Sequence, residues 1–193
     1  MSADDQMRWD RRYLDGGQPG FETIDLEPPA GFAAVAGMLP TAGTALDLAC
    51  GAGGGAVWLA QRGLDVVGSD ISPVAIGLAE QLASSHGVES SCRFIVHDLD
   101  LGLPPTALVD LITCHLFSAP ELDEAIIERL VPGGTLAITV LSEVGGKPGP
   151  FRARPSELLD RFGSFDVLHH READGRATLV AVATGPFPSG RLD

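Results

Sequence analysis

The sequence predicts an α/β fold: a doubly wound, mostly parallel sheet of seven strands that ends in an antiparallel hairpin. Three observations carry this expectation. Five short, near-continuous apolar runs recur along the chain, as strands buried on both faces require. Segments with helical spacing of apolar residues alternate with them, the signature of βαβ units and a parallel sheet. The chain then closes with two strand-like runs joined at Asp174-Gly175, a dipeptide that favours the two-residue turn of a hairpin.

The elements follow in order. Residues 28–39, "PPAGFAAVAGML", read as a helix opened by Pro28-Pro29 and stopped before Pro40. A strand over 44–50 runs into glycines, and a helix over 54–62 closes at Gly63. "LDVVGSD" (64–70) is a second strand. Ser72 then caps a helix with Pro73 at its first position, and Ile71, Ala75, Leu78, Ala79 and Leu82 lie on one face. "CRFIVHD" (92–98) and "ALVDLITCHLF" (107–117) are the third and fourth strands, joined by a link too short for a full crossover helix. Ser118 and Glu121 have the spacing of a capping box before "LDEAIIERL", and "GTLAITVL" (134–141) is the fifth strand.

Composition bounds what such a fold does here. At 193 residues with 45% apolar content, the chain fits one domain with a full core, residues 28–193, preceded by a polar, Gly-rich cap segment over 1–27. No apolar run is long enough to span a bilayer, and "MSADDQMRWD" has no apolar signal region, so a cytoplasmic location is expected. Cys50, Cys92 and Cys114 all sit in strand-like runs and read as reduced core thiols. Twenty-six acids against 13 basic residues give a net charge of −13, and no basic stripe is visible. Nucleic acid and anionic membrane are therefore poor partners, and a small-molecule substrate is expected, acted on by a monomer or homodimer.

Ligands of open α/β sheets bind beyond the carboxyl ends of the strands. Three acids stand at successive strand ends: Asp47 before Ala49-Cys50-Gly51-Ala52-Gly53, then Asp70, then Asp98. Asp70 suits the vicinal hydroxyls of a ribose. Asp98 suits an exocyclic amine such as that of adenine. Asp47 is misplaced for a dinucleotide, whose pyrophosphate it would repel, but suits an ammonium and a sulfonium. Gly51, Gly53 and Ala56 also satisfy a dinucleotide G-x-G-x-x-A pattern, so a nicotinamide-dependent oxidoreductase is the rival reading. It leaves Asp47, Asp98 and the terminal hairpin unexplained.

With these residues in hand, the chain resembles the class I S-adenosylmethionine-dependent methyltransferases, whose domain is Rossmann-like. "LDLACGAGG" resembles their glycine motif, "VVGSDISPVAI" their ribose-binding strand end, "FIVHDLD" their adenine segment and "LVPGGTLAI" their turn into strand five. "WDRRY" (9–13) and "SELLDRFGSFDVLHHRE" (156–172) further resemble the small tellurite-resistance-type methyltransferases, in which an N-terminal Trp/Tyr segment folds over the cofactor. The resemblance implies S-adenosylmethionine as cofactor. Asp47, Ala49, Gly51 and Gly53 would surround its methionine end, Asp70 its ribose, and Ile71, Asp98 and Leu99 its adenine. Cys114 at the end of the fourth strand would lie nearby, with Trp9, Arg12 and Tyr13 as the lid. Ala49 departs from the motif, which has glycine there, and is expected to adopt most of the same backbone space.

Methyl transfer needs alignment and desolvation more than acid–base work, but a hydroxyl or amine acceptor benefits from a base. His115 follows the fourth strand, where an acceptor would approach, and is the candidate base; thiol, oxyanion, amine and carboxylate acceptors all remain open. Arg152 and Arg154 lie in the loop "SEVGGKPGPFRARP", either to bind an anionic acceptor or simply to pair with nearby acids. His169-His170 read as surface or packing residues, and no Cys/His/Asp spacing reads as a metal site. A cofactor-binding regulatory protein without catalysis is compatible with the same motifs.

Overall fold

The computed structural model describes residues 3–15, 27–149 and 151–185. Seven strands form one sheet: β1 (Gly43–Leu48), β2 (Leu64–Asp70), β3 (Cys92–Val96), β4 (Val109–His115), β5 (Leu130–Leu141), β6 (Asp166–Ala173) and β7 (Arg176–Val182). Their order is β3-β2-β1-β4-β5-β7-β6. The neighbours from β3 to β5 pair in parallel, whereas β7 runs antiparallel to both β5 and β6. The strand order reverses between β1 and β4, and the crevice for a ligand opens at that switch.

Among the described residues, five α-helices accompany the sheet: α1 (Ala3–Asp15), α2 (Gly54–Gln61), α3 (Pro73–Ser85), α4 (Asp123–Arg129) and α5 (Glu157–Phe162). The alternation of side chains along each strand divides the core in two. Ala45, Val66, Leu111, Ala137 and Val180 face Phe32, Val35, Trp58 and Leu59 on one side. Leu46, Leu48, Ile112, Leu136 and Ile138 face Ile126, Leu158 and Phe162 on the other.

Most expected elements stand where the sequence places them, β2 to the residue. Ser72 caps α3 as expected, its Oγ accepting from the Ala75 N–H at 3.1 Å. At the closing hairpin Asp174 and Gly175 have φ of +56° and +75°, the left-handed pair that a two-residue turn needs. The β3–β4 link carries no α-helix, only a 3-10 turn at Leu99–Leu101.

Three expectations are corrected. Residues 28–39 are not an α-helix: only a 3-10 turn at Ala33–Met38 forms, because the segment must press its backbone onto the sheet. A Cβ on Gly31 would lie 2.3 Å from Oγ1 of Thr139. Ser118 does not cap a helix. Its Oγ accepts from Arg161, a 3-10 turn at Pro120–Leu122 intervenes, and α4 starts at Asp123. β5 begins at Leu130, four residues early, because Leu130 pairs with Val109 across an irregularity in the β4 register. Of the cap segment 1–27, α1 and Glu27 are described; residues 16–26, with Gly16, Gly17, Gly20 and Phe21, lie outside the described residues.

Candidate active site

The site starts from the turn after β1. Ala49, Gly51 and Gly53 have φ of +51°, +56° and +83°, so three left-handed residues fold the chain back sharply before α2 begins at Gly54. Gly53 is confined by contact, since a Cβ there would lie 2.6 Å from Cβ of Ala79 on α3. Ala49 does more than replace a glycine at no cost. Its φ is one that a Cβ disfavours by about 1–2 kcal/mol, so strain is held at this turn.

Asp70, the last residue of β2, is 8% exposed. Its Oδ2 accepts from the Gly51 N–H and its Oδ1 from the Ser72 N–H, both at 2.9 Å. Burial raises its pKa, the backbone amides of Ser72, Gly51 and Ile71 oppose the rise, and Asp10 adds to it. Each oxygen spends one lone pair on an amide, which leaves capacity for two further donors.

Asp47 is placed differently. It lies one residue inside the end of β1, 5% exposed, beneath the first turn of α2. Thr113 Oγ1 donates to its Oδ1 at 2.7 Å, and the Ala56 N–H also donates to it. Burial pushes its pKa up to about 7, assisted by Asp70 and opposed by the two hydrogen bonds. Asp47 thus acts on the glycine turn from below. Asp98 lies two residues past β3 and accepts from the Asp100 N–H at 3.0 Å, capping the turn in which Leu99 is buried. Ile71 is buried beside Asp70.

α1 lies over this turn. The Tyr13 hydroxyl would be 2.7 Å from a Cβ on Gly51, and burial, then the Asp70 charge, raise its pKa. Trp9 packs on Tyr13 with ring centroids 6.2 Å apart, and the exposed Arg12 guanidinium sits 5.4 Å from the Trp9 ring. Asp10 accepts a hydrogen bond from Ser72 Oγ. The sequence reading passed over Asp10 and gave Ser72 a capping role alone; Asp10 stands three residues before Tyr13, hence on the same helix face.

His115 ends β4 on the face that carries Asp47 and Thr113. Its ring is 5.7 Å from that of Phe32, and its Nε2 is buried with no hydrogen-bond partner. Burial, then the charge of Arg176, lower its pKa, so the ring is neutral near pH 7. Cys114 points the other way, into the second core, where its Sγ donates to the Phe117 carbonyl at 3.3 Å. Burial pushes its thiol up to about 12. Arg152 Nη1 donates to the carbonyls of Ser142 and Gly175 and so pins its loop to the hairpin, and Arg154 pairs with Glu157 at 3.3 Å. Both arginines have structural partners.

A groove of about 390 Å³ opens away from this turn, among Thr44, Asp65, Arg93 and Leu108. Among the described residues, no group of three His, Cys, Asp or Glu side chains is placed to hold a metal, and no helix is long and apolar enough to cross a membrane.

Residues 45–134 match the family model described as a methyltransferase domain. Over 100 residues the chain is 35% identical to an uncharacterized methyltransferase of Synechocystis, a match that covers 50% of this chain and 46% of that one. The chain spans between 21% and 46% of the length of the curated relatives it matches. Many solved structures share the fold, TehB and SpnF among them. TehB of Haemophilus influenzae has a TM-score of 0.70 at 19% identity, covering 81% of this chain and 63% of TehB. The [4+2]-cyclase SpnF has a TM-score of 0.71 at 19% identity, covering 93% of this chain and 95% of SpnF. A cyclase on the same scaffold means that the reaction has to be argued from the site.

Proposed function

We propose that the chain, whose residues 45–134 match a methyltransferase domain, is a class I S-adenosylmethionine-dependent methyltransferase that transfers a methyl group from S-adenosylmethionine to a small-molecule acceptor. The observation that carries the reading is Asp70. A buried carboxylate, clamped by two amides beside a turn of three left-handed residues, keeps acceptor capacity for a diol. Asp10 and Asp70 lie at that turn with Asp47 beneath it, a set of acids that in its ionised form repels a pyrophosphate and favours a cationic ligand.

In this reading Asp70 binds the ribose, Ile71 and Leu99 enclose the adenine, and Asp98 accepts from its amine. The Ala49–Gly53 turn passes close to the methionine end. Asp47 keeps that turn in place through the Ala56 N–H, while Tyr13 and Trp9 cover it and Arg12 stays at the rim. Bound there, the cofactor would supply an electrophilic methyl group, with a neutral thioether as its leaving group. The chain contributes alignment and exclusion of water, and neutral His115 takes the proton of a protic acceptor.

The test compares ligands. S-adenosylmethionine, in hundredfold excess over its dissociation constant, should stabilise the fold by about 2.7 kcal/mol, and NAD should not. Stabilisation by NAD alone refutes the reading.

A further inference from the structure

We propose that the chain self-associates through the edge strand β3: two copies pair their β3 strands antiparallel about a two-fold axis at Ile95, joining the two sheets into one.

Among the described residues, β3 ends the sheet and pairs with β2 alone. The Ser91 carbonyl accepts from the Val66 N–H and the His97 N–H donates to the Asp70 carbonyl, both at 2.8 Å, and the register between them runs without a break. Backbone groups alternate sides along a strand, so Arg93 and Ile95 bond to β2, whereas Cys92, Phe94 and Val96 turn their N–H and C=O groups outward. No described residue takes up those outward groups. The opposite end of the sheet is built differently. There β6 carries an irregularity between Val167 and His169 and exposed charges at Asp166 and Arg171, devices by which edge strands resist self-pairing. β3 has no such break, and its one charge is Arg93.

The surroundings of β3 leave room for a strand beside it. The groove of about 390 Å³ reaches β3 from the Leu108 side, and a second of about 290 Å³ reaches it from α3, at Glu80 and Ala83; Cys92 and Arg93 line both. A strand laid along β3 sends alternate side chains to the two sides.

The chemistry of this edge suits a second copy of itself. With the axis at Ile95, Phe94 stands opposite Val96 of the partner subunit, and Ile95 stands opposite its own copy. Val96 is 51% exposed, and this pairing covers it with an apolar ring. Phe94 and Val96 are both outward residues, so each of the two Phe94–Val96 pairs exchanges both of its N–H···O bonds, about four in all. Charge favours the same arrangement. Arg93, near the start of the strand, is exposed and holds no ion pair among the described residues. Asp98 and Asp100 follow the other end of the strand. Antiparallel pairing brings the start of one β3 level with the end of the other, so each Arg93 meets an acidic strand end, and the two-fold axis repeats the attraction. Parallel pairing in register would set Arg93 against Arg93. In a chain of net charge −13, such local complementarity selects the surface on which two copies can meet.

Five residues a side make a small interface, so the dimer is weak and reversible. Sedimentation velocity of the full chain between about 1 and about 300 µM should show a monomer–dimer equilibrium, with dimer prevailing at the upper end. Val96→Lys should keep the chain monomeric throughout, whereas Leu168→Lys, at a 45% exposed position of the β6 edge, should leave the equilibrium unchanged. Circular dichroism establishes that each variant is folded; should Val96→Lys unfold, Arg93→Glu takes its place, and by setting acid against acid it should weaken the dimer tenfold or more. The register has its own test. Residues opposite one another between hydrogen-bonded pairs have Cα atoms about 4.5 Å apart, within reach of a disulfide, so Ile95→Cys in a Cys92→Ser chain should oxidise to a covalent dimer. Failure of that cross-link, a dimer that survives Val96→Lys or one that Leu168→Lys dissociates overturns the inference. So does a wild-type chain that stays monomeric, which leaves the edge to an extended segment of another protein. None of these measurements involves the cofactor, so the proposed methyl transfer stands or falls separately.

Discussion

Replacing Asp47 by asparagine should make the protein more stable at neutral pH than at acid pH relative to the wild type. Asp47 is 5% exposed, and burial lifts its pKa from 3.8 to about 7. The folded state therefore binds a proton that the unfolded chain has already released between these two values. A raised pKa contributes stability that is fully present below 3.8 and is lost as pH rises through about 7. At 1.36 kcal/mol per pH unit the whole effect is about 4 kcal/mol, most of which, about 3 kcal/mol, falls between pH 5 and pH 8. Asparagine has the same shape and no charge to bury. Its carbonyl can take the Ala56 N–H and its amide can donate to Thr113, whose hydroxyl also accepts. Urea denaturation of both proteins at pH 5 and pH 8 gives the double difference, in which the titrating groups that do not interact with Asp47 cancel. The variant should gain about 3 kcal/mol on the wild type over that interval. A difference that stays the same at both pH values refutes a buried Asp47 with a raised pKa.

Three further outcomes follow from the site. Asp70→Ala should weaken S-adenosylmethionine binding by about 1.5–3 kcal/mol in calorimetry, whereas Asp100→Ala, at an exposed position beyond β3, should not; equal losses would contradict the ribose role. Ala49→Gly should release the left-handed strain of about 1–2 kcal/mol against an added unfolded-state entropy of about 0.5–1 kcal/mol, raising Tm by a few degrees; a lower Tm would show that the turn is not strained. With a protic acceptor, kcat/KM should be flat above pH 6.5 and fall below it, because burial and Arg176 hold the His115 pKa under 6.5. His115→Gln should abolish that limb, and a limb that survives the substitution belongs to another group.

The sheet was legible because two-sided burial writes itself into sequence as apolar runs, and the hairpin because Asp174-Gly175 supplies two left-handed residues in a row. The strand-tip acids were visible for the same reason: an acid that ends an apolar run stands out. Their different depths were not, since Asp47 and Asp70 look alike in sequence and only packing puts one under α2 and the other at the turn. Short-range helix signals failed where tertiary contact overrode them. Pro28-Pro29 followed by alanines reads as a helix start, yet Gly31 is there to let the backbone touch Thr139. Ser118 fits a capping box, yet Arg161 uses its hydroxyl. The nearness of the Arg176 charge to His115 carried no sequence signal, because it depends on a register that joins β4 to β7 through β5.

Ser72 shows how the fold ties the N-terminal helix to the cofactor acid. Its N–H donates to Asp70, its Oγ accepts the Ala75 N–H that starts α3, and its hydroxyl proton goes to Asp10 on α1. One residue thus fixes the carboxylate, opens a helix and anchors the cap. The arrangement sets Asp10 and Asp70 side by side, and the Asp10 charge raises the Asp70 pKa, so seating α1 carries a like-charge cost. A ligand that donates two hydroxyls to Asp70 and brings positive charge to the turn offsets that cost; a ligand that brings phosphates adds to it. Discrimination between a sulfonium cofactor and a dinucleotide therefore does not rest on the glycine turn, which both could use. It rests on the acids that surround the turn, one of which arrives only when α1 is in place.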